Sequence, residues 1–191
     1  MADDLDPVVT RVLQCTEEAR VGDARVVVLV DGRSGSGKTT LGRRLVAAWP
    51  AHLGRVQLVH LDDVYPGWHG LAAASRAVES TILDGAAPGW TRWDWERDAP
   101  GGWAGLDPAV SLIVEGAGSV TRASSARATT TVWLELDAGE RRRRALARDG
   151  ATYEPWWDVW AAQEDEHVAA DEPRALADLV VELRAEPDAS R

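Results

Sequence analysis

The sequence predicts an α/β domain of three layers, a parallel β-sheet covered by helices on both faces. Three observations carry this. Short, nearly continuous apolar runs recur along the chain, as strands covered on both faces require. Stretches of helical periodicity separate them, and such alternation favours parallel pairing. A glycine-rich turn joins the first run to the helical pattern after it. The length of 191 residues suits one domain with a real core, and no repeat or low-complexity linker divides it.

Residues 6–20 give the first predicted helix within an N-terminal region 1–24. Asp6 is its expected N-cap, Pro7 suits the first turn, and Val8, Val9, Val12 and Leu13 form an apolar stripe. The predicted strands are VVVLVD (26–31), VQLVHLD (56–62), AVSLIVEG (109–116), TTTVWLEL (129–136) and a weaker ADLVVEL (177–183). Helices are expected at 38–48, 71–84, 139–149 and 156–170. Segment 86–108 stands apart, with several Gly and Pro and four Trp. It reads as an irregular, lid-like insertion, and loops of that length are often functional.

Composition narrows the function. Hydrophobic content of 45% and charged content of 27% mark a globular chain. A net charge of -10 disfavours nucleic-acid and anionic-membrane binding, so a polyanion needs a local positive site. The single cysteine, Cys15, excludes an internal disulfide. No signal peptide or membrane span is expected, which makes the cytoplasm the expected compartment. Phe is absent while Trp occurs ten times. Of 21 basic residues only Lys38 is lysine.

That lysine sits in a complete G-x-x-x-x-G-K-[ST] motif formed by Gly32, Gly37, Lys38 and Thr39. The motif follows a predicted strand and opens a predicted helix, the context that gives it meaning. Loop N–H groups from Gly32 through Ser34, Gly35, Ser36 and Gly37 to Thr40 are expected to cradle phosphates, helped by the positive helix end. Lys38 places a point charge on the β- and γ-phosphates, and the Thr39 hydroxyl ligates Mg²⁺. ATP and Mg²⁺ are the expected cofactors. With no second lysine the N-K-x-D element of a guanine-specific GTPase cannot exist. No L-S-G-G-Q-like signature appears either. Transfer of a phosphoryl group to a small acceptor is the favoured class.

Asp62 and Asp63 lie at the end of the second strand, and open parallel sheets bind ligands beyond such ends. A kinase acting on a hydroxyl needs a carboxylate there to accept its proton. Asp62 is the first candidate and Asp63 the second. Glu115 ends the third run beside the loop and is the candidate second Mg²⁺ ligand, with Gly116 and Gly118 letting the chain turn away.

Together these features resemble the uridine kinase-like family of P-loop small-molecule kinases, which includes phosphoribulokinase and pantothenate kinase relatives. Four places carry the resemblance: the P-loop, LDDVY (61–65), VEG (114–116) and LDAGERRRRALARD (136–149). It implies the P-loop NTPase fold with a five-stranded parallel sheet and a small arginine-bearing lid, here within 137–170. It also places the catalytic aspartate at Asp62, with Tyr65 following, and puts Arg141, Arg144 and Arg148 at the family's lid arginines. These three share one helical face, where guanidinium groups can neutralise a transferring phosphoryl. Arg148 is the leading catalytic candidate and Arg144 a nucleotide contact.

The family's acceptor-contacting Phe-Asp-His-Pro segment corresponds to RWDWERDAP (92–100). Trp93 and Asp94 stand where Phe-Asp would be, Trp95 replaces the histidine, and the proline is missing. Arg92, Trp93, Asp94 and Trp95, with Trp68 and neighbouring His69, are the expected acceptor wall. Trp156, Trp157 and Trp160 share a predicted helix, with 156 and 160 on one face, and are read as helix packing, with lid contact to the ligand as the lesser reading. The expected acceptor is a small molecule, nucleoside-like first. A nucleoside monophosphate, served by Arg76, Arg92 and Arg97, or another small alcohol is the alternative. A non-catalytic nucleotide-binding module and an ATPase with a macromolecular partner are competing readings.

Overall fold

The computed structural model describes residues 5–184. Its centre is a five-stranded parallel sheet built from β1 (Val27–Gly32), β2 (Val56–His60), β5 (Ser111–Glu115), β6 (Thr130–Glu135) and β7 (Leu179–Glu182). The order is β2-β5-β1-β6-β7, so β1 lies in the middle. All five predicted strands form. The apolar runs are continuous because alternate residues serve two cores. Val27 and Leu29 of β1 face one, with Leu112 and Val114 of β5. Val26, Val28 and Val30 face the other, with Ile113, Val132 and Leu134.

Helices α1 (Asp6–Ala19) and α2 (Lys38–Ala47) cover the second face through Val9, Val12, Leu41 and Leu45. Helices α3 (Leu71–Ala77), α5 (Ala138–Asp149) and α6 (Trp157–Asp171) cover the first through Leu71, Ala74, Ala145 and Trp160. The short α4 (Arg122–Ser125) and α7 (Pro173–Leu176) complete the helices. The predicted helix 71–84 forms in two parts, α3 and then a π-helical stretch, Val78–Ile82. Arg127 helps finish it by donating to the carbonyls of Glu79 and Leu83.

Two expectations are corrected. Leu5, not Asp6, is the residue capping α1. Asp6 lies inside the first turn, and its carboxylate pairs with Arg44 of α2 at 2.6 Å. Segment 86–108 is not irregular. It folds as an antiparallel hairpin, β3 (Gly89–Asp94) and β4 (Ala99–Gly105), with a register shift between Thr91 and Trp93. Its alternation was hidden because glycines occupy positions that larger residues cross. Gly89, for example, lies beneath the Trp103 ring, where an added Cβ would stand 2.6 Å from it. Trp90 and Ala104 anchor the hairpin in the first core.

Candidate active site

The phosphate loop, Asp62 and Glu115 all lie at the C-terminal ends of parallel strands. The phosphate loop leaves β1 at Gly32 and enters α2 at Lys38. Gly35 shows why the loop needs glycine. Its φ is +80°, and an added Cβ would stand 2.1 Å from the Arg141 carbonyl oxygen. The first turn of α5 is pressed against the loop's crown, and only glycine leaves room. Lys38 is buried, and its Nζ donates to the carbonyls of Gly32 (2.7 Å) and Arg33 (3.1 Å). The ammonium is thus held over the cradle. Ser36 Oγ is buried in the loop without a hydrogen-bond partner among the described residues. A phosphate oxygen would satisfy such a group, so the loop fits the ligand its sequence implies.

Asp31, the last side chain before the loop, is buried and accepts four hydrogen bonds. Oδ1 takes the N–H groups of Gly32 (2.6 Å) and Gly118 (3.1 Å). Oδ2 takes the Val120 N–H (2.8 Å) and faces His167 Nε2 (3.1 Å). One carboxylate therefore ties β1, the loop after β5 and α6 together. Burial opposes charge on His167, but its bonds to Asp31 and Asp171 outweigh this and raise its pKa.

Asp62 lies in a 3-10 turn, Leu61–Asp63, directly after β2. It is open to water at its surface yet set in a dense wall of protein. That desolvation raises its pKa, helped by the nearby charges of Glu115 and Asp149 and opposed by Lys38 and Arg148. The same balance places Asp62 among the phosphate lysine, the strand-end acid and the lid arginine. Asp63 is exposed and enters only as a weak influence on His60.

Glu115 is buried at the end of β5, its Cγ 3.2 Å from where a Cβ on Gly42 of α2 would lie. Its Oε1 meets His60 Nδ1 at 2.5 Å. That bond is the main reason His60 has a raised pKa. The fit to Mg²⁺ rests on chemistry. A hydroxyl from Thr39 and one carboxylate, with the rest of the shell from phosphate and water, is a hard-oxygen set of the kind Mg²⁺ takes. Among the described residues no cluster of three or more acidic, His or Cys groups forms a separate metal centre.

The lid arginines separate. Arg141 is buried and donates to the carbonyls of Leu136 and Ser34, so it fastens α5 to the loop. Glu140 accepts from Arg143 and Arg144, each at 2.6 Å, and these bonds hold its carboxyl at a pKa of about 2. Arg148 pairs with Asp149 and lies within electrostatic reach of Asp62. Of the three, Arg148 is the one placed at the proposed acceptor base.

The acceptor side is aromatic. Trp68 meets Trp95 at 5.0 Å, and stacks with Tyr153 at 5.4 Å and Trp156 at 5.6 Å. Trp95 Nε1 donates to the Asp62 carbonyl at 2.8 Å, which joins the hairpin to the turn that carries Asp62. Trp93 sits beside Gly67, Asp94 accepts the N–H groups of Glu96 and Arg97 at the hairpin turn, and Arg92 is exposed. Asp94 thus serves the turn. Tyr65 is buried, its hydroxyl donating to the Ala117 carbonyl and its ring edge-on to Trp160 at 4.7 Å, so it floors the wall. Trp156 does more than helix packing, since it joins the wall directly. On the other side of the loop, an open cavity of about 350 Å³ is lined by Arg33, Leu136, Ala138, Arg141, Glu182 and Leu183, among others.

Sequence reasoning passed over Asp31, His60, Tyr153, Glu164 and His167. Two signals were present. Asp31 is a charged residue closing a fully apolar strand, and Glu164 and His167 stand three apart, on one face of a helix.

Neither a protein-family model nor a curated protein matches this sequence. Solved structures do. A "possible uridine kinase" from Bacillus stearothermophilus superposes with a TM-score of 0.61 at 20% identity, covering 93% of this chain and 98% of the other. A "putative fructose transport system kinase" from Silicibacter sp. TM1040 gives 0.57 at 20% identity, covering 91% and 98%. At that identity the likeness is one of fold: a five-stranded parallel sheet with helices on both faces and a P-loop after its central strand. No described helix is long and apolar enough to cross a membrane.

Proposed function

We propose that this chain is an ATP- and Mg²⁺-dependent kinase that phosphorylates a hydroxyl of a small, nucleoside-like acceptor. One observation carries the reading. A complete phosphate loop and a carboxylate of raised pKa, Asp62, share one electrostatic environment with Lys38, Glu115 and Arg148. A nucleotide-binding module has no need of an acid held there.

The roles follow from the groups. Lys38 leaves the Gly32 and Arg33 carbonyls and places its charge at the β- and γ-phosphates. The loop amides and the positive end of α2 bind the remaining phosphate oxygens. Thr39 and Glu115 hold Mg²⁺, which supplies charge neutralisation at those oxygens when bound. The cavity beside Leu136 and Leu183 receives the nucleotide's base. Asp62 accepts the proton of the acceptor hydroxyl, and its raised pKa suits a base that must release that proton again. Arg148 offers its guanidinium to the transferred group. Trp68 and Trp95 offer ring faces, and stacking a base on an aromatic is worth about 1–3 kcal/mol. Both similar structures are named as kinases, which supports the same class of reaction.

The test is ADP release from Mg·ATP across a panel of nucleosides, nucleotides, sugars and vitamin-like alcohols, with Asp62→Asn as control. A general base contributes about 10²–10⁴-fold. The variant should lose turnover on that scale while its affinity for Mg·ATP stays within about twofold. Full activity in Asp62→Asn would remove Asp62 as the base. Nucleotide binding without transfer to any acceptor would favour the non-catalytic module.

A further inference from the structure

Helix α6 touches both halves of the proposed site. On the donor side, Glu164 is buried and its Oε1 accepts the Ser34 N–H at 2.6 Å. Asp165 pairs with Arg33 at 2.6 Å. His167 bonds the Asp31 carboxylate through Nε2 and faces Asp171 through Nδ1 at 3.4 Å. On the acceptor side, Gln163 donates to the Trp68 carbonyl at 2.8 Å and accepts the Leu71 N–H at 3.3 Å. Trp160 packs against both Tyr65 and Trp68. These contacts fall within two turns of one helix.

The bonding of Ser34 is the informative detail. A phosphate loop works because its N–H groups converge on the ligand. The Ser34 N–H is instead drawn to a protein carboxylate. A buried negative charge beside a phosphate cradle opposes the ligand unless it gives something back. What Glu164 gives is geometry: it fixes the loop's crown through the Ser34 amide. His167 acts one step further back. It completes the bonding of Asp31, whose other three partners include the first loop amide and two amides of the loop after β5.

We propose that Glu164 and His167 of α6 are positioning residues for the phosphate loop, and that through Gln163 and Trp160 the same helix sets the loop's alignment with the acceptor wall. Neither residue touches the reacting atoms. The proposal rests on the reading of this loop as a nucleotide site.

The experiment measures Mg·ADP binding by calorimetry on the full chain, together with thermal unfolding. Four variants are compared with the wild type: Glu164→Ala, Glu164→Gln, His167→Leu and Asp178→Ala. Glu164→Ala frees the Ser34 amide and should weaken Mg·ADP by about tenfold or more, the scale of one charged hydrogen bond. Glu164→Gln keeps a carbonyl acceptor for that amide and should restore affinity to within about threefold of wild type or better, since it also removes a charge that repels phosphate. His167→Leu should weaken Mg·ADP on the same scale as Glu164→Ala. Asp178 anchors Thr131 at the opposite end of β6, so Asp178→Ala should lower the melting temperature and leave Mg·ADP affinity unchanged. If the Glu164 and His167 variants lose only stability, as Asp178→Ala does, the positioning role is overturned. The Glu164 pair decides the matter if His167→Leu does not fold, because failure of Gln to restore what Ala loses also overturns it. A wild type that binds no Mg·ADP removes the nucleotide reading itself, and this proposal with it.

Discussion

The contact between Gly35 and α5 gives the most exacting test of the site's geometry. Replacing Gly35 by alanine adds one methyl group where the Arg141 carbonyl oxygen would be 2.1 Å away and its carbon 2.8 Å away. Both atoms are backbone, so no rotamer change relieves the clash. Either the loop crown or the first turn of α5 must retreat by about 1 Å to reach ordinary contact. The position is also left-handed, at φ +80°, which costs an L-residue about 1–2 kcal/mol. Overpacking against fixed neighbours adds about 1–3 kcal/mol. The sum is about 2–5 kcal/mol. Gly22→Ala separates the two parts. Gly22 has φ +59° but no atom within 4 Å of an added Cβ, so it carries the conformational cost alone. Urea denaturation of both variants should show Gly35→Ala the weaker by about 1–3 kcal/mol. Only Gly35→Ala should also lose Mg·ADP affinity, because the displaced segment is the phosphate crown. Equal destabilisation of the two would refute the close approach of α5 to the loop.

Two further outcomes follow from the titrating groups. Asp62 has a raised pKa, so the acid limb of kcat/KM should lie above the ordinary aspartate value of about 3.9. Arg148 opposes that shift, so Arg148→Gln should move the limb to still higher pH. A limb that moves down, or stays put, would detach Arg148 from Asp62. His60 is raised by its bond to Glu115. Its contribution to stability is fully present below about pH 6.5 and is lost as pH rises through the higher folded value. Thermal melts across that window should therefore fall in the wild type and run flatter in His60→Gln. Parallel curves would show that the pair does not contribute.

The donor half of the site is legible in the sequence because its physics is local. A phosphate cradle needs glycines at fixed spacing, one ammonium and a helix start, and residues 32–40 hold all of these in one stretch. The parallel strands are legible for a related reason, since burial on both faces writes continuous apolar runs. The hairpin was not. Its strands carry Gly89, Gly101, Gly102 and Gly105, which interrupt the alternation of apolar and polar residues, and the Trp103 ring lies across Gly89. The acceptor wall was only half legible. Trp68 is picked out by its nearness to Asp62 and Trp95 by the family resemblance of residues 92–100, but Tyr153 and Trp156 come from a turn some 85 residues beyond Trp68. Such meetings depend on how α6 packs, which no local pattern records. The same holds for Glu164 and His167, whose partners Ser34 and Asp31 lie more than 100 residues away.

The placement of charge also bears on the acceptor. A phosphorylated acceptor brings negative charge next to a triphosphate and needs cations of its own, beyond those that serve the donor. The arginines near the proposed site are largely committed. Arg33 is paired with Asp165, Arg97 with Asp94 and Arg144 with Glu140, while Arg141 is spent on backbone carbonyls. Lys38 is assigned to the donor phosphates in the proposed reading, and Arg148 already balances Asp149 and Asp62. What lines the acceptor side is aromatic and neutral: Trp68, Trp95, Tyr153 and Trp156. Like charge in a poorly solvated cleft costs more than ring stacking returns. On the proposed reading, this balance favours an uncharged alcohol with a flat ring over a monophosphate. Paired assays on a nucleoside and its 5′-monophosphate should therefore show ADP release with the nucleoside at least about tenfold faster at low concentration, a gap of roughly 1.4 kcal/mol. Preference for the monophosphate would mean that exposed Arg76 or Arg92 turns into the cleft when an acceptor binds, and would assign this fold's second site to nucleotides instead.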